Sequence, residues 1–283
     1  MNTKISQTDW HGVQAWALTN SDIRLVIVPS MGAKIVSLVD LRAQTEWLVG
    51  PGNRTVKPVE YGAVFTDQDM AGWDEMFPTI IRCPYPVQGM HHGVILPDHG
   101  EAWVLPWSLL QSEEDTLTVS LEGRSLPYHL TRAADFPQPS TLRLRYTLQN
   151  MGADPLPYLW AAHPQLTTGM DGQVVLPAEV TRVMNTLPQS WGWGPAETHF
   201  DWPEAQGVDS LPVRLDRVGP PSLQKARKFY TLPDVHPAWA AVLRRQTGHW
   251  IRFEWDPLEL PYLGVWIDEG ALSAESVVAL EPT

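Results

Sequence analysis

Ile23 to Val28 reads IRLVIV, Pro29-Ser30-Met31-Gly32 follows, and Lys34 to Val39 reads KIVSLV. Two β-branched runs separated by a proline- and glycine-bearing turn predict a β-hairpin near the start of the chain. The same character continues outward. Thr116 to Leu121 (TLTVSL) and Thr141 to Leu148 (TLRLRYTL) alternate strictly between apolar and polar residues, the period of a strand with one covered face. The break at Asn150-Met151-Gly152 leads into Leu156 to Ala162 (LPYLWAA). Further strands are predicted at Gln173 to Leu176, Trp239 to Arg244, Trp250 to Trp255, Tyr262 to Ile267 and Ser276 to Leu280. Gln246-Thr247-Gly248-His249 and Asp268-Glu269-Gly270 serve as turns. Ser222 to Phe229 (SLQKARKF) is the one helix candidate, with serine at its N-cap.

The chain has 283 residues and 26 prolines. That is about 9% proline against a globular average of about 5%, which leaves little room for long helices. No repeat, low-complexity tract or polar linker interrupts the pattern. The expectation is a single domain over residues 1–283, an all-β, largely antiparallel sandwich with few short helices.

Composition narrows the function classes. With 43% hydrophobic and 18% charged residues the chain can bury a large core. A net charge of −12 argues against nucleic acid, and more mildly against an anionic substrate. The single Cys83 excludes an intrachain disulfide and a cysteine-cluster metal site. The opening Met1 to Gln14 is polar, with no apolar signal-peptide core, and no stretch approaches the roughly 18 apolar residues of a membrane helix. A cytoplasmic protein with no membrane partner is expected.

Fourteen tryptophans supply flat aromatic faces, and the densest polar cluster runs from Asp67 to Trp107. It holds Asp67, Asp69, Asp74, Glu75, Arg82, His91, His92, Asp98, His99 and Glu101 among Trp73, Phe77, Tyr85, Trp103 and Trp107. Its proline and glycine content predicts loop, where any one acid is more often a solvated turn residue than a ligand. Taken together, carboxylates accept hydroxyl hydrogen bonds and indoles cover the C–H face of a pyranose, so a small-molecule sugar is the natural partner. His91 and His92 are adjacent and would point apart on a strand, so they cannot share a metal ion. No HxH pair or HExxH helix occurs, although loops could bring His92, His99 and Glu101 together. His163 closes an apolar strand and is followed by Pro164. Glu281 closes Val277-Val278-Ala279-Leu280 and is followed by Pro282. On priors a lone histidine there is a core or rim residue, and a glutamate so near the end is solvent-exposed. There is no G-x-S-x-G elbow, no phosphate loop and no spacing that singles out two glycosidase carboxylates.

Several segments, in order and spacing, resemble the galactose mutarotase-like superfamily, the aldose 1-epimerases and their relatives. They are Ile27-Val28-Pro29-Ser30-Met31-Gly32-Ala33-Lys34-Ile35, Gly72-Trp73-Asp74-Glu75-Met76-Phe77-Pro78, Pro97-Asp98-His99-Gly100-Glu101 and Ala162-His163-Pro164. Leu260-Pro261-Tyr262-Leu263-Gly264-Val265-Trp266 and Val278-Ala279-Leu280-Glu281-Pro282 complete the set. The resemblance implies a β-supersandwich. It implies His163 as general acid and Glu281 as general base, with His99 holding the sugar near its ring oxygen. Arg82 and Trp73-Asp74-Glu75 would line the cleft, and Trp266 would flank it. It also implies catalysis without metal or cofactor.

The chain departs from the galactose mutarotases at Pro164-Gln165-Leu166, where an aromatic-Asn segment is usual, and at Trp103, where arginine is common. Asp201 and Asp234 are the candidates for the family's sugar-binding aspartate. The expected activity is interconversion of the α and β anomers of a free sugar. The alternatives are a non-catalytic carbohydrate-binding protein on the same fold and a hexose-6-phosphate mutarotase using Arg82, Arg244 and Arg245. Oligomeric state is not legible in the sequence.

Overall fold

A computed structural model describes residues 3–110, 115–169, 171–187, 193–207 and 211–283. The chain divides into two compact units, Met1–Ala161 and Ala162–Thr283. Both are built from antiparallel strands. Helix is limited, among the described residues, to single 3-10 turns at Phe65–Asp67 and Pro221–Leu223. None of the described helices is long and apolar enough to cross a membrane.

In the first unit Lys4–Trp10, Val13–Thr19, Ile23–Val28 and Lys34–Asp40 pair in sequential order. Lys34–Asp40 also carries Thr45–Glu46 and, through Ile35 and Trp73, the strand Trp73–Met76. The opening hairpin forms as its sequence predicts. Its turn needs Gly32, whose φ is +68° and whose missing Cβ would collide with the Trp103 carbonyl. Ala15, Ala17, Val26, Val28, Met31 and Val36 form a core cluster on this sheet.

A second sheet of this unit orders Thr141–Asn150, Tyr128–Gln138, Leu117–Glu122 and Ser108–Leu109. In Thr141–Asn150 the sequence alternation becomes alternating exposure: Leu142, Leu144, Tyr146 and Leu148 are half-buried while Arg143 and Arg145 are exposed.

Two expectations need amendment here. Residues 156–160 have no regular structure, and the strand begins only at Ala161 (Ala161–Pro164). Pro155 and Pro157 lack the donors a ladder needs. The Asp67–Trp107 stretch, expected as loop, is largely turns but contains Trp73–Met76, all four residues of which are buried.

In the second unit one sheet runs Leu166–Thr167, Ser276–Pro282, Leu263–Glu269, Lys225–Thr231, Arg182–Asn185 and His199–Asp201. A second orders Arg217–Val218, Gly172–Val175, Trp239–Arg244 and His249–Glu254. The helix expected over Ser222 to Phe229 is absent. Pro221 starts a single 3-10 turn, which Gln224 ends in the left-handed region at φ +53°. From Lys225 to Thr231 the chain is a strand paired along Leu263–Glu269. Central strand pairing has overridden the local helical propensity of Lys, Ala and Arg.

Candidate active site

One face of the larger sheet in the second unit gathers the chemistry. Register places Tyr230 opposite Gly264, and Gly264 opposite Glu281. One pleat along, Lys228 stands opposite Trp266, and Trp266 opposite Ala279. Because side chains two apart share a face, Lys228, Tyr230, Trp266 and Glu281 all project to the same side.

His163, on Ala161–Pro164, lies 4% exposed with Nε2 3.5 Å from Oε1 of Glu281, which is fully buried. Lys228 reaches the other oxygen, its Nζ 2.6 Å from Oε2. The Gln165 side-chain amide nitrogen lies 3.2 Å from Nδ1 and 3.3 Å from Nε2 of the His163 ring.

Gly264 makes this arrangement possible. A Cβ there would stand 3.0 Å from Oε2 of Glu281 and 2.9 Å from Cζ of Tyr230. Burial, then the nearby Glu281 charge, pushes the Tyr230 hydroxyl well above its ordinary pKa. Its ring lies 5.9 Å from the Lys228 ammonium. Trp266 packs with Ala226 and Ala279 in a small apolar cluster on this face.

The first unit holds Trp73, Asp74, Glu75, Arg82 and His99. Trp73, Asp74 and Glu75 lie on one strand, so Asp74 points opposite to its neighbours. Asp74 faces Lys34, 3.3 Å away, while Asp69 takes the nearer contact to that ammonium at 2.5 Å. Glu75 accepts hydrogen bonds from Arg132 and Tyr146, both at 2.7 Å, and from Trp160 at 3.1 Å. Burial raises the Glu75 pKa, against the opposing pull of Arg132 and the Tyr146 hydroxyl.

His99 sits on a left-handed turn with φ +58°. Its ring stacks on Phe65 at 4.4 Å, and Nδ1 is 3.0 Å from Oδ1 of Asp98. Burial pushes the Asp98 carboxyl upward, but His99 and two backbone N–H groups outweigh it and hold the pKa below its ordinary value. Arg82 is exposed. Of the two aspartates offered for sugar binding, Asp201 is exposed and 3.8 Å from Arg182, and Asp234 is exposed. His92, His99 and Glu101 do not form a ligand set. Among the described residues no group of three or more His, Cys, Asp or Glu is placed to hold a metal ion.

Lys228 is the residue that sequence reading missed. Read as helix, SLQKARKF scatters its charges around a cylinder. Read as strand, Ala226-Arg227-Lys228-Phe229-Tyr230 puts Lys228 on the same face as Ala226 and Tyr230. The available signal was a lysine two residues from Ala226 on one side and Tyr230 on the other, which a strand places on one face.

No family model matches this sequence, and no curated protein matches it. Solved structures do. A galactose mutarotase-like protein from Lactobacillus casei ATCC 334 aligns at TM-score 0.66 and 16% identity, covering 99% of this chain and 87% of that one. A galactose mutarotase-like protein from Clostridium acetobutylicum aligns at TM-score 0.66 and 13% identity, covering 99% and 88%. A galactose mutarotase related enzyme from Lactobacillus acidophilus aligns at TM-score 0.65 and 13% identity, covering 95% and 84%. At these identities the likeness establishes the fold: the chain has the all-β, antiparallel galactose mutarotase-like fold.

Proposed function

We propose that this chain is an aldose 1-epimerase-type isomerase that interconverts the anomers of a free, neutral sugar. One observation carries the reading: a buried histidine and a buried glutamate from different strands, 3.5 Å apart. The two oxygens that exchange protons in mutarotation, the anomeric hydroxyl O1 and the ring oxygen O5, are both bonded to C1. The acid and base that serve them must therefore stand close together, as His163 and Glu281 do.

Glu281, as carboxylate, takes the proton from O1 while His163, protonated at Nε2, gives its proton to O5. The C1–O5 bond breaks and C1 becomes an aldehyde. Rotation about C1–C2 presents the other carbonyl face. O5 then attacks C1, His163 takes the proton back and Glu281 returns its own to O1, so both residues end as they began. Each such transfer contributes about 10²–10⁴-fold to the rate.

Burial of Glu281 removes competing water and strengthens the electrostatic contacts around the reacting oxygens. The Gln165 amide beside the imidazole limits the ring's rotation. Tyr230, with its pKa raised, stays a neutral hydroxyl able to bond a sugar oxygen. The neutral substrate class is supported by two of the three arginines offered for a phosphate pocket, which are already engaged. Arg244 donates to the Thr167 carbonyl at 2.7 and 3.1 Å, and Arg245 to Asp171 at 2.7 Å.

Polarimetry of freshly dissolved α-D-galactose and α-D-glucose tests the reading, with wild type, Glu281→Gln and His163→Ala. Acceleration by wild type and its loss in both variants is the expected result. A wild type that accelerates no free aldose across a panel of neutral sugars overturns it, as does a Glu281→Gln variant of undiminished rate.

A further inference from the structure

We propose that Lys228 is a positioning residue for the Glu281 carboxylate: it holds Oε2, so that Oε1 is the oxygen that exchanges a proton with the sugar. The inference rests on the anomer-exchange reading above and specifies how its base is oriented.

The carboxylate has little else to fix it. Across the strand pair stands Gly264, which offers no side chain to lean on. Among the described residues neither Glu281 oxygen receives a well-aligned hydrogen bond, although both are buried. Its contacts are ionic and divided: Lys228 at 2.6 Å from Oε2, His163 at 3.5 Å from Oε1. A carboxylate held at one oxygen by a strong, short contact and at the other by a longer one has its two oxygens made inequivalent. The loosely held oxygen is the one beside the acid partner.

Lys228 is itself well anchored. Its carbonyl accepts from the Thr186 backbone N–H at 3.0 Å and from the Thr186 hydroxyl at 3.3 Å. Its strand is paired on both sides, with Arg182–Asn185 and Leu263–Glu269. The ammonium therefore works from a fixed base, and its three donors suit a contact that must survive as the carboxylate gains and loses a proton. The side chain is 18% exposed against none for Glu281, so it reaches the carboxylate from the rim of the site.

The test measures steady-state mutarotation for Lys228→Met, Lys228→Arg and Lys228→Ala, the last with and without added ethylammonium. A lost charge-assisted contact to the base predicts that kcat falls about 10- to 100-fold in Lys228→Met while KM stays within about threefold. Lys228→Arg should recover part of that loss. Ethylammonium should raise the rate of Lys228→Ala but not of Glu281→Gln. An unchanged kcat in Lys228→Met overturns the proposal, and so does a rise in KM alone, which would make Lys228 a sugar ligand. A wild type inactive on every free aldose is a different result, because there the anomer-exchange reading itself fails and the positioning role falls with it.

A second measurement needs no variant at Lys228. An ammonium held against a buried carboxylate exchanges its protons slowly, so the Lys228 NH3⁺ group should give a resolved 1H–15N NMR signal in wild type and lose it in Glu281→Gln. A signal unaffected by Glu281→Gln overturns the pairing on which the proposal stands.

Discussion

Replacing Asp74 by asparagine should stabilise the protein at neutral pH and do progressively less as the pH falls. Asp74 is 1% exposed. Burial pushes its carboxyl up to about 7, with Asp69 and Glu75 adding to the rise and Lys34 opposing it. Lys34, 3.3 Å away, is the strongest opposing influence, but it is shared with Asp69 at 2.5 Å and does not offset the burial.

A carboxyl whose pKa is higher in the folded protein than in the unfolded chain takes up a proton on folding. Its contribution is most favourable below its ordinary value of 3.8 and is lost as pH rises from there through about 7. Each pH unit inside that window is worth about 1.4 kcal/mol, so the whole span corresponds to about 4 kcal/mol and the part between pH 5 and 8 to about 3 kcal/mol. Asparagine keeps the shape and has no such dependence. Urea unfolding followed by tryptophan fluorescence at pH 5, 6, 7 and 8 measures the gap between variant and wild type. The gap should widen in favour of Asp74→Asn as pH rises and level off above pH 7. A gap independent of pH would falsify the reasoning, because the carboxyl would then titrate alike in both states.

Three further outcomes follow from the same geometry. Arg132→Met leaves Glu75 buried without its 2.7 Å partner and should cost about 3–5 kcal/mol in urea unfolding, part of which Glu75→Gln in the same chain should restore. Gly264→Ala forces a Cβ against Glu281 Oε2 and the Tyr230 ring, and should lower kcat in polarimetry while costing about 1–3 kcal/mol of stability. Tyr230→Phe should leave the shape of the mutarotation pH profile between pH 6 and 9 unchanged, since burial and Glu281 keep that hydroxyl protonated throughout; a limb lost in this variant would count against it.

Much of the fold was legible because strand periodicity is a local signal. Ile23–Val28 and Trp239–Arg244 form at their predicted bounds, and Thr141–Asn150 extends its predicted core by two residues. Misreadings came where tertiary pairing decides. Lys225–Thr231 is composed of residues content in a helix and becomes a strand because Leu263–Glu269 and Arg182–Asn185 pair with it on either side. Trp73–Met76 carries two acids that look solvent-bound in sequence, and both are buried because Lys34 and Arg132 come to them from elsewhere in the first unit. The nearness of His163 and Glu281 was not readable from spacing. They lie on different elements and are 118 residues apart. Composition could suggest a sugar and a resemblance could nominate two residues, but only the fold brings an imidazole and a carboxylate together. Lys228 was hidden for the same reason as its strand.

Among the described residues three glutamates are fully buried, Glu75, Glu101 and Glu281, and they differ in a way that bears on which of them does chemistry. Glu101 accepts from the Tyr61 and Tyr128 hydroxyls at 2.9 Å, from the Arg124 N–H at 2.9 Å and from the Ser125 N–H at 3.0 Å. Glu75 has Arg132, Tyr146 and Trp160. Glu101 is saturated and Glu75 nearly so, and a buried carboxylate whose acceptor sites are filled by fixed donors has little capacity left for a substrate proton. Glu281 has the same burial and none of those well-aligned donors among the described residues, only the two ionic contacts. Leaving buried acceptor capacity unused costs about 1–3 kcal/mol per group, a cost that persists where the capacity is needed for a ligand. Glu101→Gln should therefore lower stability by about 1–3 kcal/mol, because an amide NH2 replaces an oxygen that several donors require. Glu281→Gln gives up the contact to a partly exposed lysine rather than a full set of aligned donors and should cost less than Glu101→Gln, while abolishing mutarotation. If Glu281→Gln destabilised the protein as much as Glu101→Gln does, Glu281 would belong with the structural pair and the acid–base assignment would lose its physical basis.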